Sequence, residues 1–358
     1  MPESIDLFGL TPDRLAEILA PLGCWPFAAQ QAARWLYDSR VLSFDEMTNL
    51  PAPVRSRLAD TCVIGRPAVS RSVRSTDGTV RYVMALKDGA EIEAVCISAE
   101  RTAPARRDPR ITLCISSQAG CALGCTFCMT ATMGLKRHMT AGEILGQVAV
   151  LMSLHALEPN RFNIVFMGMG EPLHNAAAVA AAVGILGTGG PGFGIGSGHI
   201  TVSTAGMAPA IEAMPRWKIV PRLAVSLNAT TDDVRARIMP INKTYPIERL
   251  LSACRVFVRD SRAPLFFEYV MLDGVNDTPQ DLVRLGRMAA SLSARVNLIP
   301  FNPTPELPFT GSPDERIRHF RETLVARGVR ASVRRSRGRD VRAACGQLAL
   351  AGSSGAAA

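Results

Sequence analysis

The chain has 358 residues, 47% of them apolar, enough to bury a large core in one big domain with a smaller one beside it. Nine cysteines are too sparse for a small secreted disulfide scaffold, the apolar runs fall short of the ~18 residues a membrane span needs, and residues 1–30 show no basic, apolar leader, so the cytoplasm is the expected compartment. The net charge of +9 is concentrated: Arg101, Arg106, Arg107 and Arg110 crowd one stretch, and Arg316 to Arg342 holds ten arginines and no lysine. Guanidinium forks match phosphate oxygens, which points to a nucleic-acid partner gripped through its backbone; the bland alternative is an arginine-rich solvated surface.

In chain order, Leu15, Ile18, Leu19 and Leu22, then Ala32, Ala33 and Leu36, recur at helical spacing, and Thr11 before Pro12 and Asp13 is a helix start. Residues 1–65 are therefore expected to be a small helical domain. Alternation at Tyr82, Met84 and Leu86 with an Asp77-Gly78 turn predicts a hairpin over 71–87, and 91–98 reads as a further strand. From 110 the pattern becomes strand then helix, repeated. Strands are expected at 111–116, 163–168, 199–204, 222–228, 265–272 and 295–300, with helices at 141–155, 176–186, 230–238, 246–259 and 281–292. Six such units predict an α/β fold with a parallel sheet curled into a partial barrel over 110–310, its reactive groups at the carboxyl ends of the strands. A helix at 313–327 and a strand at 329–335 open a C-terminal extension, 311–350, and 351–358 reads as a small, polar tail.

Just after the first barrel strand stand Cys121, Cys125 and Cys128, spaced C-x3-C-x2-C. Soft thiolates select iron–sulfur clusters or zinc, and a four-iron cubane normally takes four cysteines, so three predict a 4Fe-4S cluster with one open iron. A zinc knuckle completed by His138, or a reduced buried trio, is the plain alternative. Gly168-Met-Gly170-Glu171-Pro172 follows the second strand, where glycines let backbone approach a ligand. Ser203, Ser226 with Leu227 and Asn228, and Asn302 follow the third, fourth and sixth, a rim of hydroxyls and amides able to hold a cofactor. Cys114 and Cys345 are the two other cysteines set apart by their surroundings, while Cys24, Cys62, Cys96 and Cys254 read as structural.

The cysteine trio resembles the signature of the radical S-adenosylmethionine (SAM) enzymes. With Gly168-Met-Gly-Glu-Pro-Leu-His-Asn175, Thr201-Val-Ser-Thr204, Ser226-Leu-Asn-Ala-Thr-Thr-Asp232, Ile238-Met-Pro-Ile-Asn242 and Ala343-Ala-Cys-Gly-Gln-Leu348, the chain is similar to the RlmN/Cfr family of RNA (adenine) methyltransferases, RlmN type, over nearly its whole length. That resemblance implies a partial (β/α)6 radical-SAM barrel, an N-terminal helical accessory domain that contacts RNA, a hairpin and linker region at 66–109, and a C-terminal extension carrying the methyl-accepting cysteine. It also implies methylation of adenosine carbon 2 in 23S rRNA and tRNA by a monomer that uses two SAM molecules per turnover and a reducing donor such as flavodoxin.

Residue by residue, the resemblance assigns the cluster to Cys121, Cys125 and Cys128, and the cofactor to Gly170, Glu171, Ser203, Ser226, Leu227, Asn228 and Asn302. Cys345 would take a methyl group, Cys114 would resolve it as a disulfide, and Glu93 would accept the carbon 2 proton. Without the resemblance, an acid in Glu91-Ile-Glu93 reads as a solvated strand face. Cys96, where an aromatic residue is more usual, and an apparent insertion at Arg106 to Asp108 depart from the family pattern. Two alternatives stay open: a Cfr-type enzyme acting on carbon 8, and a non-catalytic RNA-binding iron–sulfur protein.

Overall fold

A computed structural model describes residues 4–25, 27–98 and 111–350. Ten strands form one sheet whose spatial order follows the chain. The first three, β1 (Ala68–Arg74), β2 (Val80–Ala85) and β3 (Glu91–Ile97), are antiparallel, and β3 continues antiparallel onto β4 (Ile111–Cys114). Every later neighbour is parallel: β5 (Phe162–Phe166), β6 (Ile200–Thr204), β7 (Arg222–Ser226), β8 (Leu265–Met271), β9 (Arg295–Pro300) and β10 (Ala331–Val333). The six expected barrel strands are all present, with ends within two residues of the sequence reading, and β10 adds a short seventh. The hairpin region extends the same sheet. The arginines at 101, 106, 107 and 110, the insertion at 106–108 and the tail at 351–358 lie outside the described residues.

Helical crossovers connect the parallel strands, and local chemistry sets where they begin. Thr140 and Glu143 form a reciprocal capping box that starts Ala141–Leu154, and Thr278 with Asp281 does the same for Pro279–Ser291. The carboxyl ends of β5 through β9 and the loop after β4 all border one cavity, so the parallel sheet curls around its interior. Several short elements escaped the sequence reading, and two stand out. A helix, Ala208–Ala213, follows β6, and a narrow ribbon pairs Gln118–Gly120 with Leu135–His138. Both are too short for a periodic signal to accumulate.

The N-terminal helices are as expected: Pro12–Leu19, capped by Thr11, then Ala28–Tyr37 and Ala52–Thr61. Their apolar residues join the barrel in one continuous core. Close backbone approach makes that junction possible, because a Cβ on Gly142 would meet the Phe8 carbonyl and one on Gly9 would meet the Gly142 backbone. Buried Tyr37 packs on Phe8 and Phe193, accepts a hydrogen bond from Gly9 N–H at 3.0 Å and donates to the Leu10 carbonyl at 2.6 Å.

The segment after β10 folds back onto the β1–β2 turn. Gly338 N–H donates to Asp77 at 2.8 Å, while Asp340 accepts from the Ser75 hydroxyl at 2.6 Å and from Thr76 N–H at 3.1 Å. Burial pushes the Asp77 carboxyl up, but N–H groups of Gly338 and Thr79 outweigh it and hold it at about 2; the Ser75 hydroxyl chiefly depresses Asp340. Carboxylates depressed in the folded state stabilise it above their unfolded value of about 3.9, and that contribution disappears as pH falls toward 2. Asp340→Ala is therefore expected to cost about 1 kcal/mol and to speed amide exchange across 336–350 while leaving the barrel strands protected, as hydrogen-exchange mass spectrometry would read. In the unsubstituted protein the same segment should loosen on acidification below pH ~4.

Candidate active site

The ribbon Gln118–Gly120/Leu135–His138 pins both ends of the loop that carries the cysteine trio, and Cys121 N–H donates to the Gly134 carbonyl at 2.9 Å. Within the loop, Cys128 opens a helical turn, Met129–Thr132, and its carbonyl accepts from Ala131 N–H at 3.2 Å; burial raises its thiol, and the Ala131 and Thr130 N–H groups oppose the rise. Cys121, Cys125 and Cys128 line the cavity at the sheet's carboxyl rim. Gly170 and Glu171 after β5, Ser203 near the end of β6, Ser226 and Asn228 at the end of β7, Asn302 after β9, and Cys345 line the same cavity. Gly168 and Gly170 leave no room for side chains: a Cβ on Gly168 would meet Ile115 backbone, and Gly170, at φ +99°, abuts Gln118.

Not every expected residue faces the cavity. Leu227 is buried and does not line it; its backbone N–H donates to the Glu268 carbonyl at 3.0 Å. Asn228, in the left-handed region at φ +53°, spends its side-chain oxygen on Val270 N–H at 2.9 Å. Glu171 is buried, and its two oxygens accept from Leu173 N–H at 2.9 Å and Ala205 N–H at 2.7 Å, so the carboxylate ties the turn after β5 to the end of β6. Asn302 donates to Ser336 at 2.8 Å and to the Cys345 carbonyl at 3.4 Å.

Cys345 reaches the rim because its segment is tied down on both sides. Met129 N–H donates to the Gly346 carbonyl at 2.8 Å, and the Thr130 hydroxyl to the Leu348 carbonyl at 2.6 Å. The residue remains open to solvent although protein encloses its thiol from most directions, as a group in a concave wall must be. Cys114, at the end of β4, lines an adjoining cavity that shares Cys345, Met167 and Ile299 with the first. Burial, reinforced by Cys345, pushes the Cys114 thiol up to about 12, and Arg334 opposes the shift. All cysteines among the described residues are free thiols.

Sequence reasoning missed three charged groups. Arg334 borders the cavity that Cys114 and Cys345 share, and stands 3.8 Å from Glu268. Glu268, on β8, has one oxygen bonded by Asn297 at 2.8 Å; the other is buried with no hydrogen-bond partner. Burial raises the Glu268 carboxyl against the pull of Arg334. An acid inside the apolar run Leu-Phe-Phe-Glu-Tyr-Val was a usable signal, whereas Arg334 sits unmarked in an arginine run. The third, Arg81, is 3% exposed and donates to Glu93 at 2.9 Å.

That pair corrects the reading of Glu93 as a solvated strand face: the residue is fully buried, and its second oxygen accepts from Leu350 N–H at 3.3 Å. Burial raises its carboxyl and Arg81 opposes it. Glu93 lines neither cavity, since the C-terminal segment covers it.

The donor set suits an iron–sulfur cluster. Three thiols and an unpartnered carboxylate oxygen border one cavity, and no three His, Cys, Asp or Glu side chains among the described residues are grouped to hold a single ion. His138, the fourth ligand a zinc knuckle would need, instead meets Gln118 at 2.9 Å and packs edge-on against His174. A cubane suits this arrangement because each thiolate takes its own iron.

Comparison with known proteins agrees with this geometry. Residues 115–286 match the model of the radical SAM superfamily, and residues 5–64 that of a ribosomal RNA large subunit methyltransferase N-terminal domain. The chain is 44% identical over 357 residues to the dual-specificity RNA methyltransferase RlmN of Anaeromyxobacter dehalogenans, covering 98% of this chain and 93% of that protein. The protein of the same name from Desulfosudis oleivorans is 42% identical, with 98% and 91% covered. The crystal structure of a radical SAM methyltransferase from Sphaerobacter thermophilus superposes with a TM-score of 0.87 at 41% identity, covering 96% of this chain and 99% of that one.

Arg81→Met would strand a buried carboxylate and should cost about 3–5 kcal/mol. Without its cation, Glu93 is raised further and folds protonated, so the stability it retains at low pH is lost as pH rises through its folded value. Urea denaturation should show a larger deficit at pH 8 than at pH 5, and adding Glu93→Gln should recover most of it.

Proposed function

The chain belongs to the family of dual-specificity RNA methyltransferases named RlmN, within the radical SAM superfamily, and on that premise we propose that it methylates carbon 2 of an adenosine in 23S rRNA and in tRNA. One observation carries the reading: Cys345, far from the cysteine trio in sequence, opens onto the same cavity as the trio and the polar strand ends. A non-catalytic cluster protein has no use for a thiol placed there. The relatives' shared name favours carbon 2 over carbon 8.

In this reading Cys121, Cys125 and Cys128 hold a 4Fe-4S cluster, and Gly170, Glu171, Ser203, Ser226, Asn228 and Asn302 hold SAM, with Leu227 packed behind them as part of the wall. Bound together, these groups supply an electron, a methyl group and a 5'-deoxyadenosyl radical. The protein supplies the rest. Carbon 2 of adenine lies between two ring nitrogens and is too electron-poor to attack an electrophilic methyl group, so a thiol must carry it. Cys345 is that carrier: its sulfur accepts the methyl group and holds it where the base is presented, flipped out of its stack.

Once the methyl carbon is joined to the base, Cys345 is linked covalently to RNA. Glu93 accepts the carbon 2 proton after the C-terminal segment lifts from its carboxylate. The unpaired electron left on the joined base would return to the bound cluster. Cys114 then attacks the Cys345 sulfur; a sulfur–sulfur bond forms, the sulfur–carbon bond breaks, and its electron pair stays with the departing carbon, which takes one proton from solvent to complete the methyl group. Arg334, beside both thiols, favours the thiolate this step requires. The N-terminal helices (1–65) and the arginine-rich extension (311–350) serve as RNA-contacting parts, and the enzyme works as a cytoplasmic monomer reduced by a flavodoxin.

Cys345→Ala should abolish 2-methyladenosine in total RNA, measured by nucleoside mass spectrometry of cells dependent on this protein, with the cluster still loaded. Cys114→Ala, expressed anaerobically, should retain a covalently bound RNA fragment on Cys345; free RNA alone from that variant would overturn the release step.

A further inference from the structure

Arg235 has the largest side chain that is fully buried among the described residues. It lies on a helix, Asp232–Ile238, behind the wall of the candidate active site. Its guanidinium donates to the carbonyls of Leu227 at 2.9 Å, Ala205 at 2.6 Å and Ser226 at 3.1 Å, and to the Asn242 side-chain oxygen at 3.0 Å. All four acceptors are uncharged. Among the described residues no carboxylate pairs with it, and Asp232, on the same helix, instead accepts from Asn242 at 2.9 Å and Ile247 N–H at 2.8 Å. A buried cation whose hydrogen bonds are satisfied but whose charge is not is costly unless an anion is brought near it.

The structure also shows where that anion belongs. Thr126, between Cys125 and Cys128, donates its N–H to the Ile238 carbonyl at 3.0 Å, so the end of Arg235's helix holds the cysteine loop directly. Two of Arg235's acceptors, Ala205 and Ser226, line the cavity that Cys125 lines. Burial weighs against the guanidinium's charge, and of the titratable groups that favour it Cys125 comes first, ahead of Asp232 and Cys254.

We propose that Arg235 is the countercharge of the iron–sulfur cluster: a positioning residue that fixes the wall of the site and, through its uncompensated positive charge, makes the cluster easier to reduce. The inference rests on the reading that Cys121, Cys125 and Cys128 hold the cluster. Three thiolates leave such a cluster anionic, and reduction adds one further negative charge. A fixed cation nearby favours the reduced form more than the oxidised form, because net charge around a cluster sets its potential.

The test is a redox titration of the anaerobically reconstituted full-length protein, followed by electron paramagnetic resonance, on wild type, Arg235→Gln, Arg235→Lys and Asp232→Asn. The expected result is a more negative midpoint potential and faster loss of iron in R235Q, a potential close to wild type in R235K even if its Tm falls, and a shift to less negative potential in D232N. A purely structural role would lower Tm in both Arg235 variants and leave both potentials unchanged, which would overturn the proposal. So would an equal negative shift in R235Q and R235K, since the charge would then not be the cause. Should R235Q fail to fold, an unchanged potential in D232N overturns it. A wild-type protein that binds no four-iron cluster would instead overturn the cofactor reading on which the inference stands.

Discussion

Two hydrogen bonds between the cysteine loop and the C-terminal segment, from Met129 N–H to the Gly346 carbonyl and from the Thr130 hydroxyl to the Leu348 carbonyl, hold the site together. The second joins residues 218 positions apart in the chain, and together they bring Cys345 to the cavity that Cys128 borders. Both are buried or partly buried, so losing either would leave an orphaned polar group as well as a loosened segment. The rest of the segment reinforces the tie: Asp77 and Asp340 clasp its beginning, Asn302 holds Cys345 at mid-length, and Glu93 receives its end. These anchors sit on separate strands and turns, so a ligand that displaces one can lift part of the segment without unfolding the sheet.

Charge in the interior follows a pattern. Glu93 has Arg81, Glu268 has Arg334 at a looser 3.8 Å, and among the described residues Arg235 donates to neutral oxygens alone. Tight pairing suits a group that is covered, as Glu93 is beneath Leu350. Looser pairing suits one that borders an open chamber, where a ligand can complete the hydrogen bonds that Glu268 lacks. An unpaired guanidinium suits a place next to soft anionic ligands. Each case places a desolvation cost where a ligand or a movement can offset it, which is how reactive sites differ from the apolar core around them.

Much of this was legible beforehand. The alternation of strand and helix from residue 110 named every barrel strand, because a parallel strand covered on both faces reads as an apolar run and the stretches between the strands keep a helical period. The cysteine spacing, the glycines at 168 and 170 and the polar strand ends were readable because one loop or one strand terminus holds each. Glu93 was misread without the family pattern: its partner Arg81 lies on the neighbouring strand, and nothing in the local sequence distinguishes a buried acid from a solvated one.

The amino-acid sequence by itself determined the barrel, the helical start, the cysteine loop and the rim of polar groups, all consequences of periodicity, capping and spacing within a few residues of chain. Only the tertiary structure decided that Cys114 and Cys345 share one chamber, that Leu227 faces away from the cavity, that Glu93 lies beneath Leu350, that Arg81 and Arg235 are buried and that Arg334 borders a cavity. The reason is electrostatic and geometric. Whether an arginine is a surface charge or a buried countercharge depends on groups that converge from distant parts of the chain, and no local pattern records that convergence.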